Sequence, residues 1–123
     1  MLVKNKWEEN GLYIEYEGIV SADEMLDTDK NYGDTRFDKI RYIIVDLSLV
    51  TGIKFKRSKL EIKAAQDSVA SAWNNSIHLI FVIRNKIIKK EIEFFIKKMK
   101  QGINNWDLFI VKTVQEARDI LKK

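Results

Sequence analysis

Residues 40–48 have the sequence Ile40-Arg41-Tyr42-Ile43-Ile44-Val45-Asp46-Leu47-Ser48. A continuous run of β-branched and aromatic residues is typical of a strand that is buried on both faces of a parallel sheet. The run ends in polar residues, and a basic loop and a helix start follow it. We therefore predict a central parallel strand that delivers polar groups to one edge of a sheet.

The composition predicts one globular domain over residues 1–123. Of the 123 residues, 46% are hydrophobic and 33% are charged, which suffices for a single core. The chain has no cysteine and one histidine, His78. This excludes disulfides, thiolate nucleophiles and cysteine metal sites, and it leaves little for a zinc site. We expect no metal and no cofactor.

The first residues carry no targeting signal. Lys4, Lys6, Glu8 and Glu9 lie among them, and there is no apolar signal region. No apolar run approaches the ~20 residues that a membrane-spanning helix needs. We therefore expect no transmembrane segment and a cytoplasmic location.

Charge is distributed unevenly along the chain. Residues 1–52 hold 11 acidic and 6 basic side chains, a balance of −5, whereas residues 53–123 hold 7 and 16, a balance of +9, which together give the net +4. Such asymmetry is found in proteins that bind anions or nucleic acids, and also where lysine-rich helices face water. The basic positions lack interleaved exposed aromatic residues, so we expect no nucleic-acid partner.

The N-terminal segment has the pattern of a β-hairpin. Leu2–Trp7 and Leu12–Glu17 flank Asn10-Gly11, a pair suited to the positive φ angles of a tight turn. Apolar and polar residues alternate in the second arm, which predicts a strand with one solvated face. We expect Gly18 to end that strand.

Three helix starts share one signature. Ser21, Ser58 and Thr113 are each followed three residues later by glutamate. A hydroxyl and a glutamate at this spacing can satisfy each other's free backbone amides in a capping box. Each of the three residues is therefore predicted to be an N-cap.

The remaining apolar runs alternate between strand and helix patterns. We predict strands at 77–83 and 108–111, and helices at 86–101 and 114–121. With the hairpin, the central strand and the helix from Ser58 to Trp73, the chain is predicted to be an α/β protein. Its mixed, mostly parallel sheet has about five strands and about four helices.

Two helices carry apolar stripes that are predicted to face the core. On the helix that starts at Ser58, a stripe predicted to face the core is formed by Ile62, Ala65, Val69, Ala72 and Trp73. On the helix over 86–101, the predicted buried stripe consists of Ile88, Ile92, Phe95, Ile96, Met99 and Ile103.

Ile87 and Phe94 project to the other side of the helix over 86–101, and Lys90 and Lys97 lie near them. This surface predicts contact with a protein partner, a second copy or a membrane surface. The alternative is that the helix over 114–121 or the chain terminus covers both apolar side chains.

The carboxyl ends of parallel strands meet at one edge of a sheet, where ligands often bind. The residues predicted to meet there are Asp46, Ser48, Lys54, Lys56, Arg57, Ser58, Arg84 and Lys86. Helix N-termini add partial positive charge. The edge is a candidate receptor for phosphate or carboxylate, unless its lysines only keep the loops solvated.

The segment from Tyr42 to Ile53, the helix from Ser58 and the elements that follow resemble the SpoIIAA-like superfamily, which contains the STAS domains (sulfate transporter and anti-sigma factor antagonist). The likeness covers nearly the whole chain in element order and rests mainly on the Asp-Leu-Ser segment. Within this group the chain looks more similar to stand-alone bacterial STAS/SEC14-like proteins of undefined function than to the true antagonists. The resemblance implies a SpoIIAA-like fold.

The chain departs from the antagonists of that superfamily at their phosphorylation motif. Those proteins carry an Asp-Ser-Ser/Thr-Gly type motif, whereas this chain has Lys54-Phe55-Lys56-Arg57. We therefore expect no phospho-serine switch and assign Ser58 to helix capping.

Catalysis is not expected, because the chain has one histidine, no cysteine and no phosphate-binding glycine loop. The first hypothesis is a non-catalytic regulatory or protein-interaction module. In this module the contact is made by the start of the Ser58 helix and by the surface of Ile87, Lys90, Phe94 and Lys97. The alternative is a small-ligand protein that binds an acyl lipid or an amphipathic anion at the basic edge of the sheet.

Overall fold

The computed structural model describes residues 2–122, and Met1 and Lys123 of the predicted domain lie outside the described residues. The described elements are β1 Leu2–Trp7, β2 Gly11–Ser21, α1 Ala22–Asp27, two 3₁₀ segments at Thr28–Gly33 and Thr35–Lys39, β3 Tyr42–Lys54, α2 Arg57–Trp73, β4 His78–Val82, α3 Lys86–Gln101, β5 Asp107–Val111 and α4 Val114–Leu121.

The strands form one sheet in the order β1-β2-β3-β4-β5, with β3 at its centre. β1 and β2 are antiparallel, and every other neighbouring pair is parallel. The predicted α/β class, the mixed, mostly parallel sheet and the N-terminal hairpin are therefore confirmed. The predicted helices and strands after Ser58 end within one residue of the observed ones.

Successive residues of β3 supply two separate cores. Ile43 faces the larger core, which α1, α2, α3 and the 3₁₀ segments cover, whereas Ile44 faces a smaller core under α4. Because neighbouring residues of a strand point to opposite faces, a strand between two helix layers needs an uninterrupted apolar run. This explains the sequence of residues 40–48.

β3 continues well beyond β4. It pairs with β4 from Tyr42 to Asp46 and with β2 from Tyr42 to Lys54, so its second half forms a ribbon with β2. The prediction that Gly18 ends β2 is wrong. Gly18 has φ +83°, and the pairing register shifts next to it, so the glycine forms an irregularity through which the strand continues to Ser21.

The predicted tight turn at Asn10-Gly11 is also wrong. Neither residue has a positive φ, and the connection spans residues 8–10, with the Glu8 amide donating to the Gly11 carbonyl at 2.8 Å. Glycine is required at position 11 because a Cβ there would lie 2.2 Å from the Tyr42 ring. The constraint is the Tyr42 ring, which lies against the backbone of residue 11, not a turn conformation.

Two of the three predicted N-caps are confirmed. Ser21 forms a full capping box with Glu24, and the Thr113 hydroxyl accepts from the Glu116 amide at 3.1 Å. The prediction for Ser58 is wrong, since α2 begins at Arg57.

The start of α2 is set by packing instead of by a hydroxyl. Phe55 precedes the N-cap position, Lys56, and packs on the same core as Leu60 in the first turn of α2. This spacing is that of a hydrophobic staple, which fixes where the chain enters a helix. Ser58 is left as an exposed residue of the first turn.

The orientation of α2 is opposite to the predicted one. The predicted core stripe, Ile62, Ala65, Val69, Ala72 and Trp73, faces solvent. The buried residues are instead Leu60, Ala64, Asp67, Ala70 and Ser71. Both faces of α2 carry apolar or small residues, so apolar spacing alone did not distinguish them. On α3, Ile88, Ile92, Phe95 and Met99 are buried as predicted, whereas Ile103 lies beyond the helix and is exposed.

A buried ion cluster accounts for the orientation of α2. The Lys63 ammonium lies 2.7 Å from Asp67 and 2.6 Å from Asp29, which lies in the first 3₁₀ segment. The Tyr32 hydroxyl donates to Asp67 at 2.6 Å. Burial opposes the charge on Lys63, but the two carboxylates outweigh it and hold the pKa of Lys63 well above its ordinary value. Burial likewise raises the pKa of Asp29 to about 6.

We predict that Lys63→Met lowers the free energy of unfolding by about 3–5 kcal/mol, because it leaves Asp67 buried without its cation. Urea denaturation measures the change. Lys59→Met is the matched control, since Lys59 is an exposed lysine of the same helix, and its effect should stay within about 0.5 kcal/mol. Equal effects of the two substitutions would contradict the ion-cluster assignment.

Candidate functional site

The residues predicted to meet at the carboxyl edge lie in two separate places. Asp46 is opposite Val82, the last residue of β4, and Ser48 follows it within β3. Lys54 lies at the far end of β3, about 26 Å further along the strand at ~3.3 Å per residue. The structure therefore does not bring Asp46 and Ser48 together with the basic residues of the loop after β3.

Asp46 makes its hydrogen bonds within its own neighbourhood. It is 4% exposed, and it accepts from the Tyr13 hydroxyl, from the Ser48 amide at 3.0 Å and from the Ser48 hydroxyl at 2.6 Å. Burial and the adjacent Asp46 carboxylate raise the pKa of Tyr13. Both carboxylate oxygens of Asp46 accept hydrogen bonds from neighbouring residues, so the polar atoms of this buried side chain are satisfied within the sheet.

The end of β3 and the starts of α2 and α3 enclose a groove of about 240 Å³, which we call the entrance groove. Its lining consists of Thr51, Gly52, Ile53, Phe55, Arg57, Asn85, Ile87, Ile88 and Glu91. Arg57 belongs to the anion site predicted from the sequence, and Ile87 belongs to the predicted interaction surface. The groove thus joins part of the predicted anion site to part of the predicted interaction surface.

The start of α3 determines which apolar residue faces the groove opening. The Asn85 side chain accepts from the amides of Ile87 at 2.7 Å and Ile88 at 3.2 Å, and so caps the helix. Ile88 is buried in the core, whereas Ile87 is 73% exposed. Since successive helical residues are turned by about 100°, burial of Ile88 leaves Ile87 in solvent.

Arg57 lines the groove and joins α2 to α3. Its Nε lies 3.0 Å from a carboxylate oxygen of Glu91, and its guanidinium lies 4.8 Å from the centre of the Phe94 ring. The Lys98 ammonium lies 5.4 Å from the same ring. Phe94 is therefore half-buried between two cations of its own chain, and of the predicted pair Ile87 and Phe94 only Ile87 is freely exposed.

Exposed cations lie close in sequence to the residues that line the entrance groove, and we call them its basic rim. Exposed cations at or next to the starts of α2 and α3 include Lys54, Lys56, Arg84, Lys86 and Lys90, and Lys97 is exposed further along α3. Neither helix has an acidic residue in its first turn. The positive ends of two helix dipoles thus add to the side-chain charges and favour an acidic partner.

Several groove residues were not predicted from the sequence. Thr51, Gly52 and Ile53 belong to the part of β3 that continues beyond β4, and Glu91 pairs with Arg57 across two helices. The β-branched residues Val50, Thr51 and Ile53, which continue the run beyond Ser48, are the sequence signal that would have indicated the longer strand.

A second cavity, of about 70 Å³, lies inside the larger core. Apolar residues of the sheet, α2 and α3 form most of its lining, and Tyr32, Lys63 and Asp67 border it. The ion cluster therefore provides the polar boundary of an otherwise apolar cavity.

Within residues 2–122, histidine, aspartate and glutamate do not form any group of three suited to hold a metal ion. Over the same residues, the helices are too short or too polar to cross a membrane.

No protein-family model matches the chain, and no curated protein is significantly similar to it. Its fold is that of SpoIIAA, an anti-sigma factor antagonist, in the unphosphorylated form. The two structures have a TM-score of 0.65 and 12% identity over 98% of each chain. An anti-sigma factor antagonist from Mycobacterium paratuberculosis gives a TM-score of 0.65 and 14% identity over 99% of this chain and 94% of the other. The similarity confirms the predicted SpoIIAA-like, STAS-type fold.

We predict that Ser58→Ala changes the free energy of unfolding by no more than about 0.5 kcal/mol, because the Ser58 side chain does not cap α2. Thr113→Ala removes an observed cap and should cost about 1 kcal/mol. Chemical denaturation of the two variants measures the difference. A cost for Ser58→Ala as large as that for Thr113→Ala would restore Ser58 as a cap.

Proposed function

We propose that the protein is a non-catalytic regulatory module that binds an acidic surface of a partner protein in the entrance groove. The observation that carries this proposal is the combination, in one groove, of an exposed Ile87 with a rim of cations at two helix starts. The chain needs no phospho-serine switch for this contact, because the rim charges are permanent.

The groove has the features of a protein contact. An exposed isoleucine contributes about 1.5–3 kcal/mol when a partner fully buries it. Arginine is also common among residues that dominate binding energy, and Arg57 is already held in place by Glu91. The surrounding lysines steer an acidic partner and accelerate its association. The SpoIIAA-like fold supports a regulatory role, since both similar structures are anti-sigma factor antagonists.

Site-specific crosslinking in cells of the source organism tests the proposal. A photoreactive phenylalanine analogue in place of Ile87 should crosslink to one predominant protein. The double substitution Lys56→Glu/Lys86→Glu should reduce that crosslink at least about tenfold, because it reverses two rim charges.

The matched control is Lys100→Glu/Lys122→Glu, which makes the same change in net charge at exposed lysines in the last turn of α3 and at the end of α4. We expect this control to retain the crosslink. A crosslink that survives rim reversal, or that forms equally well from a probe at exposed Ile103, would contradict binding in the entrance groove.

A second candidate function, the binding of a small apolar ligand, rests on the cavity in the larger core. Its volume of about 70 Å³ is about half of the ~150 Å³ that holds benzene in an engineered protein cavity. An acyl chain would enter only after the helices moved away from the sheet. The Lys63 cluster holds one ammonium and two carboxyl groups, a balance that does not favour an anionic head group.

Native mass spectrometry of freshly purified protein distinguishes the two functions. We expect the mass of the chain without a ligand, because the cavity is too small for an acyl chain in the observed structure. A bound lipid that is released on denaturation would favour the second function over the first.

A further inference from the structure

The solvent side of α2 is unusually apolar. Ile62, Val69 and Trp73 are 41%, 56% and 64% exposed, and Ala65 and Ala72 lie exposed beside them. We call these five residues the outer face of α2. Large exposed apolar groups are normal when they are scattered, but a continuous stripe along one helix marks a contact surface.

The spacing of the outer face is that of a helix–helix contact. Ile62 and Val69 are seven residues apart, as are Ala65 and Ala72, and each alanine follows a β-branched residue by three positions. These are the first and fourth positions of a heptad, at which side chains of one helix insert between those of another. The alanines allow the two helix backbones to approach closely.

The spacing of the outer face and its lack of charge favour a second copy of this chain as the occupant. Over residues 62–75, the charged side chains of α2 are Lys63 and Asp67, and both are turned inward and paired with each other. The outer face is therefore uncharged, in a chain of which 33% is charged. An acidic or basic partner finds no complementary charge there, whereas two copies with net charge +4 can meet on this face without like charges in contact.

We propose that the protein forms a symmetric dimer in which the outer faces of two α2 helices pack antiparallel. A two-fold axis places Ile62 of each copy opposite Ala72 of the other, and Val69 opposite Ala65. Each large side chain then meets a small one. The face is thus complementary to itself, and the entrance groove, at another surface of the molecule, is left open in each copy.

The size of the contact predicts a weak dimer. The 17 residues of α2 give a helix about 25 Å long and about 10 Å wide, so the outer face offers roughly 250 Å² per copy. Stable complexes bury about 1,200–2,000 Å² in total. The dimer is therefore expected to dissociate on dilution.

Sedimentation velocity from about 10 μM to about 1 mM tests the proposal. The weight-average mass should rise with concentration toward twice the 14.5 kDa of the chain. Val69→Lys and, separately, Trp73→Ser should keep the protein monomeric with an unchanged circular dichroism spectrum. Ile19→Lys is the matched control, because Ile19 on β2 has the same 56% exposure as Val69, and it should still dimerise.

Disulfide trapping tests the antiparallel arrangement, since the chain has no cysteine of its own. Mixed under oxidising conditions, the Ala65→Cys and Val69→Cys variants should form the mixed disulfide faster than either homodimer. A monomer throughout the concentration range, or a dimer that persists in Val69→Lys, would overturn the proposal. Preferential homodimeric disulfides would overturn the antiparallel packing.

Discussion

The buried ion cluster of Lys63 is the constraint on which the rest of the structure depends. Lys63 and Asp67 are four residues apart and lie on one side of α2, where Asp29 and Tyr32 complete their contacts. Unpairing either charge inside the protein would cost several kcal/mol, so the cluster fixes the rotation of the helix about its axis. That rotation determines which residues of α2 reach the core and which reach solvent.

Both surfaces of interest follow from this rotation and from the length of β3. With Lys63 turned inward, Arg57 at the start of α2 reaches Glu91 of α3, and both residues line the entrance groove. The continuation of β3 past β4 supplies further lining residues. The same rotation turns Val69 and Trp73 outward. A polar contact in the core thus exposes an apolar stripe and positions a basic groove.

The sequence predicted what depends on local pattern and not what depends on distant partners. The central strand, the α3 stripe and the caps at Ser21 and Thr113 were predicted correctly, because apolar spacing or a nearby hydroxyl determines each of them. The orientation of α2 depends on Asp29, a residue 34 positions away from Lys63, which no local pattern indicates. The structure separates Asp46 and Ser48 from the basic residues of the loop after β3 for a similar reason. The length of β3 relative to β4 is set by pairing across the sheet. Of the entrance groove, Arg57 and Ile87 were predicted, whereas Glu91 was not.

The reactivity of single thiols on α2 tests the orientation of this helix most directly. Val69 is exposed and its neighbour Ala70 is 1% exposed, and each can be replaced by cysteine in a chain that has none. With a thiol-specific reagent under native conditions, and at a protein concentration low enough to keep the chain monomeric, the Val69→Cys variant should react at the rate of a free thiol. The Ala70→Cys variant should react at least about a hundredfold more slowly, since its thiol becomes accessible only when the structure opens. Fast reaction at position 70 with protection at position 69 would contradict the orientation of α2 and both surfaces that depend on it.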